Sequence, residues 1–281
     1  MSVGEYTPPL RFRDTSLRRR ISTDLADLLR FRHLVWYMAM SSLAVESRGT
    51  KLGRSFWIIE PLLLMGVYTL LVQVIFHGGA ANFPLVVLAA LLAFEFFVRS
   101  VARSMGMLEV SQTATLHVGF PRSVVPLAVT LSETIRFVIS MTVYVCIVAC
   151  FGILPQSASA LAIPFMVIEI VFTLGASYFF AASGMFFRDL SKILEYLFFI
   201  LFQLGCGLYT LAQVPPGART VVLFNPFTTF FEGVRTPIMY GRAPDLPVAV
   251  VSGVTVFSVL LLIGGYAYFL RREGSFSKVV L

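Results

Sequence analysis

Apolar runs of about 20 residues follow one another along most of this 281-residue chain. Each is long enough to cross a hydrocarbon core about 30 Å thick as a helix rising 1.5 Å per residue. A water-soluble domain of this length has too little interior for them, because 57% of the residues are hydrophobic and only 13% are charged. The runs are continuous and lack the period-two alternation of a membrane barrel. The expected fold class is therefore an all-α polytopic membrane protein. Six spans are predicted, at about 56–76, 83–101, 124–151, 161–187, 193–212 and 247–270.

Basic residues set the orientation. Residues 1–55 hold ten Lys or Arg, and the connections after the second and fourth spans hold Arg99, Arg103, Arg122, Arg188 and Lys192. The tail adds Arg271, Arg272 and Lys278. The opposite side receives only Arg219, Arg235 and Arg242, and Arg136 falls inside a span. By the positive-inside rule both termini are cytosolic. The first 20 residues carry five arginines and no apolar core, so they are expected to stay on that side rather than act as a signal peptide. The net charge of +7 is read as loop charge facing anionic lipid, not as a nucleic-acid surface. Cys146, Cys150 and Cys206 lie in apolar runs without metal spacing and read as small buried hydrophobes.

Three segments do more than span. In 22–40, Leu25, Leu28, Leu29, Val35, Trp36 and Ala39 share one helical face, with Asp27, Arg30, His33 and Tyr37 opposite. That pattern predicts an amphipathic helix on the cytosolic membrane surface. The stretch 213–246 holds five prolines with Asn225, Glu232 and Arg235 among aromatics. It is too polar to cross and too apolar for a free loop, so two short helices dipping into the outer leaflet are expected. Between the second and third spans, 102–122 carries a mixed face on a short helix, and 188–192 forms a tighter cytosolic elbow. No P-loop pattern GxxxxGK[ST] occurs in the sequence. No internal repeat of the kind that builds secondary transporters is visible either.

Four ordered pieces resemble one family over nearly the whole chain. Leu52-Gly53, then Phe56 and Pro61, resemble the start of its first span. FPRSVVPL at 120–127 resembles the Phe-Pro-Arg element before its third span, and RDLSKIL at 188–194 its Arg-Asp elbow. LFNPFTTFFEGVR at 223–235 resembles its Asn-Pro, Glu, Arg element before the last span. The chain thus looks like the transmembrane, or permease, subunit of a type-2 ABC exporter of cell-surface polysaccharide (capsular polysaccharide, O-antigen of lipopolysaccharide, teichoic acid). Glu60-Pro61, Glu109 and Glu133-Thr134 lean toward the capsule-type members. Glu46 and Phe56 depart from the family's usual arginine and tryptophan.

The resemblance implies a multi-pass protein of the bacterial cytoplasmic (inner) membrane, acting as a homodimer with two ATP-binding subunits. ATP and Mg would be bound by that partner, leaving this chain without a cofactor or an enzymatic step of its own. The cargo would be a lipid-linked polysaccharide, capsular first and O-antigen next, passed on where needed to periplasmic or outer-membrane export proteins. It further implies a cytosolic N-terminus over 1–55 and a six-span domain over 56–281. Within that domain lie a coupling loop at 102–122, the 188–192 elbow, and periplasmic re-entrant helices over 213–240. Competing readings are an exporter of a lipo-oligosaccharide or small hydrophobic molecule on the same scaffold, and an integral-membrane glycan transferase.

Candidate residues follow. Aromatic faces stack on sugar rings, so Trp57, Phe94, Phe97, Tyr178, Phe198 and Phe202 are candidates for the substrate path, with Glu60 at its mouth. Glu60 pairing with Lys51 or Arg54 is the equal alternative. Partner-coupling candidates are Arg103, Glu109, Gln112, Arg122, Arg188 and Asp189. Asn225, Pro226, Glu232 and Arg235 are candidates for a periplasmic gate. Ionisable groups inside spans cost about 2.5–3.5 kcal/mol to insert and need partners. Glu133 with Arg136, and Glu95 with Arg99, have helical pairing distances.

Overall fold

The structure is a computed structural model that describes Asp24 and residues 27–47, 56–80, 82–118, 121–187 and 189–274. The side chains of residues 46, 47, 56 and 109–118 fall outside that description. Every regular element among the described residues is helical. In chain order they are α1 (Arg32–Ser47), α2 (Phe56–Thr69), α3 (Phe83–Val118), α4 (Val124–Cys150) and α5 (Ala162–Gly184). They continue as α6 (Leu190–Leu204), α7 (Pro216–Phe224), α8 (Pro226–Tyr240) and α9 (Val248–Glu273). A wider π-helical turn, Leu70–Ile75, extends α2, and a 3₁₀ turn, Ser157–Leu161, leads into α5.

Five of these segments are long and apolar enough to cross a membrane: Trp57–Ile75, Phe83–Leu108, Val124–Cys150, Ser157–Gly184 and Val248–Glu273. The chain is a multi-pass helical membrane protein. The span expected at 193–212 differs, since its helix covers only 15 residues, about 22 Å, before it stops at Leu204. The cause is local. Gly205-Cys206-Gly207 follows, Cys206 adopts φ 60°, and Arg235 takes up the carbonyls of Cys206 and Tyr209, both at 2.9 Å. At the helix end itself the Gly205 nitrogen turns to the Phe202 carbonyl at 3.2 Å, and the Asn225 amide takes the Leu201 carbonyl at 2.8 Å.

The separate short helix expected between the second and third spans is also different. α3 runs without a break for 36 residues, about 54 Å, so the coupling segment is a direct extension of the second span. Alanines and apolar residues fill its first half, and Phe83 through Ala93 are almost wholly buried under α4, α5 and α8. Closest contact in the bundle is between α5 and α9. A Cβ placed on Gly175 would lie 2.5 Å from the Leu262 nitrogen, so the two backbones meet directly, as small residues permit in membrane bundles.

α8 is inserted into this bundle. Its Phe227, Phe230 and Phe231 pack against Phe94, Phe97, Phe172 and Phe202 with ring centroids 4.9–6.3 Å apart. α1 lies along α4 and buries Val35, Ala39 and Leu43, leaving Leu29 and Trp36 exposed on its other side. The amphipathic pattern was thus partly a packing face for α4. Leu25, also on the expected apolar face, lies outside the described residues. Cys206 is buried, whereas Cys146 and Cys150 are exposed on the outside of α4, correcting the expectation that all three are interior.

Candidate functional site

α2, α3 and α6 enclose a cleft of about 540 Å³. Glu60, Leu64 and Tyr68 reach it from α2 at a helical spacing of four, Phe94, Glu95, Val98 and Arg99 from α3, and Glu195, Phe198, Phe199 and Phe202 from α6. Four of the seven path candidates, Glu60, Phe94, Phe198 and Phe202, therefore share one wall. Phe94 and Phe202 lie 5.0 Å apart, and Phe198 meets Phe97 edge-on at 4.9 Å. Phe97 stands behind the wall, 3% exposed, tilted against Phe172 and edge-on to Phe227. Tyr178 does not line the cleft and donates its hydroxyl to the Ser123 carbonyl at 3.1 Å. Trp57 faces Arg136 on the other side of the Glu95–Arg99 pair. Tyr68 was not anticipated, although its position eight residues after Glu60, on the same helical face, was a usable signal.

At the polar end of the cleft, ion pairs bind three spans together. Arg99 bonds Glu60 and lies 3.5 Å from Glu95. The partner of Glu60 is thus Arg99; Lys51 and Arg54 are outside the described residues. One helical turn on, Arg103 bonds Glu133 of α4 and donates to Ser42 of α1 at 2.7 Å. Arg136 lies 3.3 Å from Glu133, as its spacing suggested, with its guanidinium 4.5 Å over the Trp57 ring. Three carboxylates face three guanidiniums, which is what makes their burial tolerable. Arg103, expected as a contact for a partner, turns into the bundle here.

A second charge pair closes the opposite end. Asn225 caps α8 by accepting from the Phe227 nitrogen at 3.0 Å, and its amide donates to the Leu201 carbonyl at 2.8 Å. Pro226 occupies the first helical position, where no amide donor is missed. Glu232 accepts from the Leu211 nitrogen at 2.6 Å, Thr236 at 2.9 Å and Arg235 at 2.5 Å. Arg235 is fully buried. Burial opposes the charged form of Glu232, but the Arg235 guanidinium with the Leu211 and Thr236 donors outweighs it and holds this carboxyl below the usual glutamate range. The four expected gate residues therefore form one clasp that fastens α8 to the end of α6 and the 205–213 turn.

At the end of the bundle where α4 starts and α9 stops, Asp24 accepts from Ser123 at 2.7 Å and from Tyr266 at 2.5 Å. Burial raises the Asp24 carboxyl above its ordinary value. The Arg122 backbone nitrogen and its guanidinium each donate to Glu273 at 3.2 Å. Asp189 is exposed and lies 3.6 Å from Lys192. Arg188 is outside the described residues, and Glu109 and Gln112 are placed only by the backbone of α3. Among the described residues no three of His, Cys, Asp or Glu gather where a metal ion could be held.

No protein-family model matches the chain. The O-antigen export system permease protein RfbA of Myxococcus xanthus is 27% identical over 257 residues, spanning 90% of this chain and 98% of that protein. Permeases of the same name from Klebsiella pneumoniae are 23% identical over 239 residues, spanning 85% of this chain and 91% of theirs. Along most of its length the chain is thus a distant relative of O-antigen export permeases, and its helical membrane architecture is of that general kind.

Proposed function

We propose that the chain is the permease subunit of an ATP-binding-cassette exporter that moves a lipid-linked cell-surface polysaccharide across the cytoplasmic membrane. A separate ATP-binding subunit supplies the energy. The observation carrying this reading is the cleft between α2, α3 and α6, where aromatic rings line one end and carboxylates the other, in a chain related nearly end to end to O-antigen export permeases. Aromatic faces attract the C–H face of a sugar while its hydroxyls stay with water or carboxylates, so a polymer slides without a deep minimum. An O-antigen-type polymer now ranks ahead of a capsular one. The relatives favour it, all three being O-antigen export permeases.

Two copies would face each other across α2 and α6, both of which leave long apolar faces uncovered. The polymer would pass between them. Asp24, Ser123 and Tyr266 meeting at one end supports an even number of crossings, with α6 as the remaining one and both termini cytosolic. In this arrangement α7 and α8 are re-entrant helices on the periplasmic side, closed by the Glu232–Arg235 clasp. The far end of α3 and the 188–192 elbow receive the ATP-binding subunit. Movement there is transmitted down α3, whose Arg99 and Arg103 hold α2 and α4.

The test is deletion of the gene in its host, with surface polysaccharide and its cytoplasmic precursor measured together. Loss from the surface with accumulation inside, restored only when this chain and an ATP-binding subunit are both present, is expected. Unchanged surface polysaccharide, or ATP turnover by the purified chain alone, overturns the proposal.

A further inference from the structure

The charge on the cleft walls narrows the cargo. Three carboxyl groups line it, Glu60, Glu95 and Glu195, against one guanidinium, Arg99, so acidic groups outnumber basic ones. Arg99 is not available to an incoming anion, because Glu60 bonds it and Glu95 lies 3.5 Å away on its other side. The neighbouring Arg103 and Arg136 do not line the cleft and are turned to Glu133. Glu195 is exposed at the rim, and no ion pair to it is found among the described residues. The remainder of the wall is aromatic or aliphatic, with the Tyr68 hydroxyl as its one further polar group.

Resting on the exporter reading above, we infer that this cleft takes an uncharged glycan and discriminates against one carrying a carboxylate or phosphate in each repeat. Carboxylates are strong acceptors for sugar hydroxyls, so Glu60 and Glu195 favour a neutral polyol beside the Phe94–Phe198–Phe202 surface. A polyanion meets these groups as like charges, and the one cation among the described lining residues, Arg99, is already paired, in a partly dehydrated cleft where repulsion is weakly screened. Discrimination thus arises from a repulsive element as well as an attractive one, the usual route to specificity. Glu195 sets the sign at the rim, since it is the carboxylate without a tether.

The experiment uses the complete complex with its ATP-binding subunit in proteoliposomes and two lipid-linked probe glycans of equal length. One is a neutral hexose polymer and the other carries a hexuronate in every repeat. Export of the neutral probe about tenfold faster or more is expected. Glu195→Lys, at an exposed position that folding tolerates, should narrow that ratio by speeding the anionic probe. Equal rates, or faster export of the anionic probe, overturn the charge inference while leaving the exporter reading intact. Transport of neither probe overturns both.

Discussion

Tyr266, two turns from the end of the last helix, donates its hydroxyl at 2.5 Å to Asp24, which lies 242 positions earlier at the start of the described chain. Ser123, at the foot of α4, donates to the same carboxylate oxygen. One side chain therefore ties the N-terminal segment to the first residues after the coupling extension and to α9. Any tilt of α4 relative to α9 must stretch or break this contact.

That knot carries the first prediction. Burial raises the Asp24 pKa from its ordinary 3.8, so its stabilising contribution is fully present below that value and is lost as pH rises through the folded one. Limited proteolysis of residues 27–47 should therefore quicken as pH climbs from about 4 toward neutrality. Asp24→Asn removes the titration and should flatten the profile. Tyr266→Phe, which deletes one donor to a charged acceptor, should cost about 1.5–3 kcal/mol and speed cleavage at neutral pH. A profile that keeps its slope in Asp24→Asn would place the titrating group elsewhere.

The clasp at the other end behaves with the opposite sign. Glu232 has its pKa lowered, so its contribution is present above the ordinary 4.5 and vanishes as pH falls through the folded value. Glu232→Gln should abolish the part of acid destabilisation that falls below that point, read from melting temperature in detergent. Arg235→Ala leaves a buried carboxylate without its guanidinium and should cost about 3–5 kcal/mol. It also frees the Cys206 and Tyr209 carbonyls, so the buried Cys206 thiol should become reactive to a maleimide in folded protein. Continued protection of Cys206 would show that the turn does not depend on Arg235.

Within the central network the cost of losing a carboxylate should follow burial and the number of cations stranded. Glu133 is 1% exposed and serves both Arg103 and Arg136; Glu60 is 38% exposed and serves Arg99. Glu133→Gln should therefore destabilise by about 3–5 kcal/mol, against about 1 kcal/mol or less for Glu60→Gln. Thermal melts of the two variants in one detergent settle the order. Export should respond differently: Glu60→Gln alters the cleft and lowers transport more than its small stability loss explains.

Much of this arrangement was legible in the chain. Apolar run length gave five long helices, four of them almost to their ends and the second short of its extension to Val118, and helical spacing gave the Glu133–Arg136 and Glu95–Arg99 pairs. Five prolines with Asn225, Glu232 and Arg235 among aromatics pointed to two short helices within 213–246, without placing the break that the structure has at Asn225. What escaped was contact between distant segments. Helical spacing shows Arg136 beside Glu133 but cannot show that Arg103, thirty residues earlier, sits closer, because that depends on how α3 packs on α4. The short α6 was missed for a similar reason, since its apolar run continues to Leu211 while Asn225 and Arg235, from another segment, hold the carbonyls of Leu201, Cys206 and Tyr209 around its end. The amphipathic face of α1 was visible, but a stripe of Val35 and Ala39 reads the same whether it meets lipid or α4.

The same dependence on packing makes the α5–α9 contact a sharp test. A Cβ on Gly175 would meet the Leu262 nitrogen at 2.5 Å and the Leu261 carbonyl carbon at 2.7 Å. Both are backbone atoms of a helix and cannot rotate aside as a side chain would. Gly175→Ala should therefore force the helices apart and cost about 1–3 kcal/mol despite adding a single methyl group. Gly264→Ala, with open space around its Cβ on the same partner helix, is the control and should leave stability within about 0.5 kcal/mol. The pair is compared by melting temperature and by monodispersity of the purified protein. Because α9 also carries Tyr266, the displaced helix in Gly175→Ala should loosen the Asp24 contact and raise proteolysis of residues 27–47, whereas Gly264→Ala should not. Equal behaviour of the two variants would mean that α5 and α9 do not meet at Gly175.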